Sequence, residues 1–466
     1  MNKKFYVTAA IPYVNAAPHI GHALEFLQVD VVARYKKLQG VEAITLTGSD
    51  ENALKNVQAA EKAGQEVQKF VDLNAELFLE LTKKLNTHFD VFQKGTNPGH
   101  FKSSQDLWTK CNDKGDIYKK DYEGLYCVGC EAFYTEEELQ DGECGEHPGK
   151  KLEKVSESNY FFRLSKYQEQ LIDLISRDTL RIYPDFRKNE VLQFLKEPLK
   201  DISISRSNER AKNWGVPVPG DESQRMYVWF DALNIYRSGV DDSIWPADLH
   251  IIGKGIIRFH TVYWPAFLLS ADIPLPKAVF AHGYLTVNGQ KMSKTIGNII
   301  NPNEVVNKYG VDATRYYLLK EIPPFSDGDF SYSRMDEVYS SDLSNELGNL
   351  LSRLTNLGEK YNVEVINDYE IKDIYDPAIV NLMKEYRFNE ALEKIWRRIK
   401  DMNRAIDEFA PWKNETGRED FLKKKLGELN IIGTMLIPFM PETAEKIVSS
   451  TGGKVKKAQP LFPRLI

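Results

Sequence analysis

The 466-residue chain is sparing with cysteine: it has four, at positions 111, 127, 130 and 144, too few and too clustered for a disulfide framework. It has no apolar run near the ~18 residues that a membrane-spanning helix needs, which excludes an integral helical membrane protein. The N-terminus runs from Lys3-Lys4-Phe5 to Pro12 with no apolar signal core or small-residue cleavage pattern, so a cytoplasmic location is expected. Positive charge is not in excess either. Lysine and arginine total 61 against 67 aspartates and glutamates, for a net charge of -6 and a pI near 5.9. A polyanionic partner would therefore have to use a local basic groove on an acidic body. No internal repeat and no low-complexity tract is present.

Hydrophobic residues make up 42% and charged residues 27%, an ordinary balance for a soluble globular protein. The length exceeds the ~250 to 300 residues at which single cores stop growing, so two or three domains are expected. Residues 5–10 read as a strand ending before Pro12, and Pro18 opens a helical pattern reaching about Gln39, with Gly40 as its stop. Ala43–Thr47 reads as a buried strand, followed by helical patterns over Glu51–Lys62 and Glu66–Leu85. This βαβ order implies an α/β fold with a Rossmann-type parallel sheet. From about Tyr118 short aromatic runs and frequent turns replace the alternation. It resumes with strands at Met226–Phe230, Leu249–Ile252 and Ala278–Ala281 and a helix at Ile256–Leu269. Beyond Pro323-Pro324 amphipathic helical stretches dominate, around Asp336–Tyr361, Ile379–Asn403 and Asp420–Met435. The expected plan is a Rossmann catalytic domain split into residues 1–117 and 221–325, an inserted subdomain at 118–220, and a C-terminal α-helical bundle at 326–466.

Three patterns carry chemistry. Pro18-His19-Ile20-Gly21-His22 sits where the first strand gives way to the first long helix. A helix N-terminus offers free N–H groups and positive potential to phosphates, and Gly21 would let an adenine ring approach. Read alone, the string is equally a Pro-started helix with two incidental histidines. Lys291-Met292-Ser293-Lys294 lies after the turn formers Asn288-Gly289, where two ammonium groups on a mobile segment can meet charge developing on phosphates. A solvated lysine loop is the common fate of such a pair. Cys127-x2-Cys130, then thirteen residues, then Cys144-x2-His147 has the paired spacing of a closed tetrahedral zinc site, which would hold the insert together structurally. Cys111 stands outside that cluster and is expected to be inert.

With these strings in order, the chain resembles the class I aminoacyl-tRNA synthetases and, within them, the methionyl-tRNA synthetases. The matching runs are AIPYVNAAPHIGHALE, TGSDEN, YVWFDALNIY, IIGKGIIRFH, HGYLTVNGQKMSKTIGN, NELGNLLSR and EFAPW. The resemblance implies activation of L-methionine with ATP and its transfer to tRNA(Met). No general base is needed, because the substrate carboxylate is the nucleophile and catalysis is positioning plus charge stabilisation. His19, His22, Lys291 and Lys294 would be catalytic and hold ATP with Pro18 and Gly21, while Mg2+ bridges the phosphates. Asp50 would bind the methionine ammonium, Ile11 would contact the substrate through its backbone, and Tyr13, Trp229, Ala232, Tyr236, Ile256 and His260 would build the side-chain pocket. Aromatic walls suit a thioether at ~0.3 to 1.5 kcal/mol per sulfur–ring contact. Asn349, Arg353 and Trp412 would contact the anticodon by edge hydrogen bonds and stacking. A monomer is expected.

The chain departs from the usual family wording at Asn52 and Ala53, where His-Gly is common, at Gly255, where Asp is usual after Gly-Lys, and at Thr295 for Ser. Leucyl, isoleucyl and valyl enzymes share the two ATP strings but carry a larger insert, and the cysteinyl enzyme uses zinc as a substrate ligand. An RNA-binding paralogue without activation chemistry and a small nucleotidyltransferase are the rivals from other classes.

Overall fold

The computed structural model describes residues 4–127, 132–134, 139, 141–145, 149, 151–292, 297–371 and 374–465. At its centre is a six-stranded parallel sheet. Its strands are β1 (Lys4–Ala9), β2 (Glu42–Ser49), β3 (Val91–Lys94), β4 (Arg181–Tyr183), β5 (Leu249–Gly253) and β6 (Ala278–His282), in the spatial order β3-β2-β1-β5-β6-β4. Neighbours β1 and β5 are about 240 residues apart in sequence, so the two separated halves do close one sheet. The strand order reverses at this pair, the place where parallel α/β sheets bind their ligands.

Alternation along each strand feeds two cores. Val7 and Ala9 of β1, Leu249 and Ile251 of β5, and Ala278 and Phe280 of β6 face one cluster, while Tyr6, Ile252, Val279 and Ala281 face the other. The first face is covered by helix α1 (Ile20–Leu38), which is buried nearly all round, through Leu24, Phe26, Leu27, Val29, Val31, Val32 and Tyr35. Its outer side is covered by the helix Val311–Lys320, on which Phe388–Phe409 and Pro441–Ser450 pack in turn. One apolar cluster therefore runs from Val7 and Ile251 in the sheet through Leu27 to Leu422 and Ile447.

Arg315 crosses this junction, with no exposure to solvent. Its guanidinium reaches the Asp30 carboxylate at 2.6 Å and donates to the carbonyls of Leu85, Pro438 and Phe439 at 3.1, 2.9 and 2.8 Å. Residues from α1, from the end of the helix Val67–Lys84 and from the turn after Arg418–Leu436 thus share one cation.

Two expectations change. The segment Met226–Phe230 is not a strand: antiparallel Asp221–Met226 ends there and Val228–Ala232 is helical, with every residue buried, so the apolar run marks a helix sunk in the core. The span 118–220 does not lie wholly off the main sheet, because Arg181–Tyr183 returns to pair with β6. The helix expected at Ile256–Leu269 is present without a break, opening with a tight turn at Lys254–Ile256 and widening to a π turn at Phe259–Tyr263 before Trp264–Ser270. Ile117–Cys127 and Glu153–Phe162 form a long antiparallel ribbon off the sheet, which Ala132–Tyr134 extends. After residue 331 helices follow as expected, although Ile379–Asn403 is two helices that part between Lys384 and Phe388.

Candidate active site at the strand crossover

A cavity of about 520 Å³ opens where β1 and β5 part, floored by the start of α1. Ile11, Tyr13, His19, Gly21, His22, Trp229, Ile256, Lys291 and Met292 all line it, so the His19-Ile20-Gly21-His22 helix start, the first residues of the lysine string and several aromatic and aliphatic side chains, far apart in sequence, meet at one space.

The helix start is organised by its histidines. His19 is the N-cap, its Nδ1 accepting from the Gly21 N–H at 3.1 Å, and His22 Nδ1 accepts from the His19 N–H at 3.1 Å, a reciprocal capping box built from imidazoles. The Ile20 N–H donates to the Ile300 carbonyl at 3.0 Å. These amides are therefore occupied, contrary to the expectation that they are free for a phosphate. The donors this helix start has left are the imidazoles: with Nδ1 as acceptor, a neutral ring carries its proton on Nε2. The rings stack at 3.9 Å. Burial lowers the His19 pKa to about 4 and holds His22 well below the ordinary range, with His19 and His282 adding to the shift. Both rings are neutral donors at pH 7.

Lys291 ends a hairpin whose strands, Leu285–Val287 and Gln290–Lys291, turn on Asn288 at φ 51° and Gly289 at φ 73°, the two left-handed residues that a tight hairpin turn requires. Met292 Cε lies 3.6 Å from where a Gly21 side chain would start, so this methionine rests on the helix start at the residue with no side chain. Ser293, Lys294 and Thr295 lie outside the described residues.

The apolar end is aromatic. Trp229 stacks on Phe259 at 3.8 Å and meets Tyr13 edge-on at 6.2 Å. Tyr236 and His260 do not line the cavity. They form a buried pair behind Trp229, with Tyr236 Oη 2.7 Å from His260 Nε2 and His260 Nδ1 2.9 Å from the Ile256 carbonyl, and burial lowers the His260 pKa to about 4. Ala232 is buried in the same core. Asp50 also lies outside the lining. It is 3% exposed, and its backbone bridges to Tyr13 and donates to the Pro12 carbonyl at 2.9 Å.

Several lining groups were not singled out from sequence, although most stand inside the quoted runs. Glu25, three residues after His22 on α1, accepts from the Ala10 N–H at 2.8 Å and meets His282 Nε2 at 3.0 Å. Phe259, His282, Tyr284 and Tyr134 complete the wall. Asn52, at a departing position, donates to Asp231 at 2.6 Å, and His100 meets the same carboxylate at 2.6 Å, so the departure is absorbed into a buried network beside Trp229.

Of the zinc-pattern residues, Cys127 and Cys144 are both buried, while Cys130 and His147 lie outside the described residues. Cys111 is buried, and burial pushes its thiol up to about 12, which makes it inert. In the helical region Arg353 lies 5.6 Å over the Trp412 ring and 2.6 Å from Asp407, Trp412 is 43% exposed, and Asn349 lines a separate surface groove of about 400 Å³.

A family profile described as "tRNA synthetases class I (M)" matches residues 5–153 and 137–355. The chain is 42% identical to the methionine–tRNA ligase of Thermotoga maritima over 95% of this chain and 74% of that one. It is 39% identical to that of Brucella suis over 100% and 98%. The chain belongs to the methionine–tRNA ligases of class I. Among solved structures, Mycobacterium tuberculosis methionyl-tRNA synthetase bound by methionyl-adenylate superimposes with a TM-score of 0.90 at 36% identity, covering 99% of this chain and 100% of that one. Among the described residues no helix is long and apolar enough to cross a membrane.

The neutral histidines of this family member have a measurable consequence. In the unfolded chain they bind protons near pH 6.5, whereas folded His19 and His260 resist until about pH 4. The unfolded state then holds more protons across that window, so stability rises with pH there. The melting midpoint is expected to fall steadily as pH drops from 7 to 5 at fixed ionic strength; a flat profile would show that these rings titrate normally.

Proposed function

We propose that this chain activates L-methionine with ATP, giving methionyl-adenylate and pyrophosphate, and then transfers the methionyl group to the 3′ end of tRNA(Met). The observation that carries this reading is one cavity walled by neutral imidazoles and a lysine loop at one end and by Tyr13, Trp229 and Phe259 at the other. A methionine carboxylate oxygen attacks the α-phosphorus, the bond to the bridging oxygen breaks, and its electrons leave with pyrophosphate. ATP enters with Mg2+, which neutralises part of the phosphate charge. The Nε2–H groups of His19 and His22 donate to phosphate oxygens, and the ammonium groups of Lys291 and Lys294 meet the charge that grows on the departing group.

Methionine's thioether would lie against Tyr13 and Trp229, with Ile11 and Ile256 beside it and Asp50 as counter-ion of its ammonium. Ala232, Tyr236 and His260 act from behind, fixing the Trp229 edge. The family resemblance also implies zinc. Two buried thiols on one short segment fit a closed thiolate site, which Cys127, Cys130, Cys144 and His147 would complete. Bound zinc would tie the end of the strand Ile117–Cys127 to Cys144, beside Tyr134 on the cavity wall. Asn349, Arg353 and Trp412 would read splayed anticodon bases, with the guanidinium and indole already side by side.

Amino-acid-dependent exchange of pyrophosphate into ATP, run with methionine and with each other apolar amino acid, tests this. Exchange is expected with methionine alone. Exchange with none would favour a binding protein that has lost activation chemistry.

A further inference from the structure

Asn52 follows Asp50 by two residues and does not line the cavity, yet its side chain spans two parts of the molecule that the proposed methionine site needs. Its Nδ2 donates to the Gly95 carbonyl at 2.9 Å and to the Asp231 carboxylate at 2.6 Å. Both partners are acceptors, so the amide can face only one way, and a single nitrogen serves both. A neutral imidazole at this position would have one N–H and could satisfy only one of them.

Asp231 is the far end of this link. It is 1% exposed and is the only charged residue of the helix Val228–Ala232. That helix has five residues and no side-chain cap, too short to hold its own orientation, so its anchors decide where it points. Asn52 donates to one oxygen of the carboxylate. His100 Nε2 and the Ser104 hydroxyl, at i and i+4 on the helix Pro98–Asp113, meet the other at 2.6 and 3.1 Å. Trp229, two residues before Asp231, is the residue of the short helix that lines the cavity. At the near end Asn56 Nδ2 donates to the Asp50 carbonyl at 2.8 Å. The segment that carries Asp50 and the helix that carries Trp229 are thus joined through one amide.

We propose that Asn52 is a positioning residue for the amino acid, setting the spacing between Asp50, the counter-ion of its ammonium, and Trp229, the wall against its thioether. This rests on the methionine site proposed above.

Pyrophosphate exchange by the full chain, with the KM for methionine and the KM for ATP measured separately, tests it. Absence of methionine-dependent exchange in the unaltered chain would overturn the activation reading itself, so the two failures are distinguishable. Asn52→Asp sets a carboxylate against Asp231 and the Gly95 carbonyl, and is expected to raise the KM for methionine about tenfold while the KM for ATP stays within about twofold. Adding Asp231→Asn restores a donor and an acceptor across the gap with their roles exchanged, and should recover most of that loss. Asn52→Ala, which only deletes the donor, carries the test at about threefold should Asn52→Asp fail to fold. The proposal is overturned if the two KM values rise together, if the exchanged pair is no better than Asn52→Asp, or if the variants lower the melting midpoint with both KM values unchanged.

Discussion

His22→Ala is expected to slow methionine-dependent pyrophosphate exchange by about 10²- to 10³-fold, the usual effect of deleting one preorganised donor to a developing oxyanion, while tRNA affinity stays nearly unchanged. The residue has two jobs. Its ring is part of the cavity lining, and its Nδ1 accepts from the His19 N–H at 3.1 Å. Losing the cap alone costs ~0.5 to 2 kcal/mol of stability. His22→Asn separates the two, since its carboxamide oxygen can still accept from His19 but its amide cannot reach a phosphate. Exchange should stay slow in His22→Asn even where the melting midpoint recovers. A recovered rate would show that the imidazole serves only the helix. Trp412→Ala should behave oppositely, keeping exchange and weakening tRNA binding by the ~1 to 3 kcal/mol of one stacked base. Loss of both functions in either variant would deny that the two ends act separately.

Arg315→Met should destabilise the whole chain by ~3 to 5 kcal/mol, the cost of breaking a buried ion pair by removing its fully buried partner. Asp30 is 2% exposed and would be left with Arg34, a partly exposed neighbour at 2.7 Å, as its cation. Three carbonyls from two other segments would lose their donor as well. Chemical denaturation would measure the loss, and the double variant Arg315→Met/Asp30→Leu should regain much of it because the fully buried carboxylate is gone and the remaining cation, Arg34, reaches solvent and keeps the Asn86 carbonyl. A loss under ~1 kcal/mol would mean that water reaches Asp30 readily.

Much of this was legible in the sequence for physical reasons. β1, α1 and β2 announce themselves by period and by Pro12, Pro18 and Gly40, and His19 and Lys291, singled out by their strings, line one cavity. The failures have causes too. Residues 228–232 are buried on all sides, and a helix without a polar face looks like a strand. Arg181–Tyr183 is too short for any periodicity to show that it rejoins the sheet. That the helix-start amides would be consumed by the histidines themselves depends on rotamers, which no spacing rule supplies. Glu25 stood in plain view one turn beyond His22, but only the fold brings Ala10 and His282 to it.

The apolar cluster that passes from β1 and β5 through α1 into the last helices has a thermodynamic meaning. Ile322 and Phe325 on either side of Pro323-Pro324 belong to or pack on the same cluster, so the sheet and the last helices share one core and are expected to melt together as a single cooperative unit.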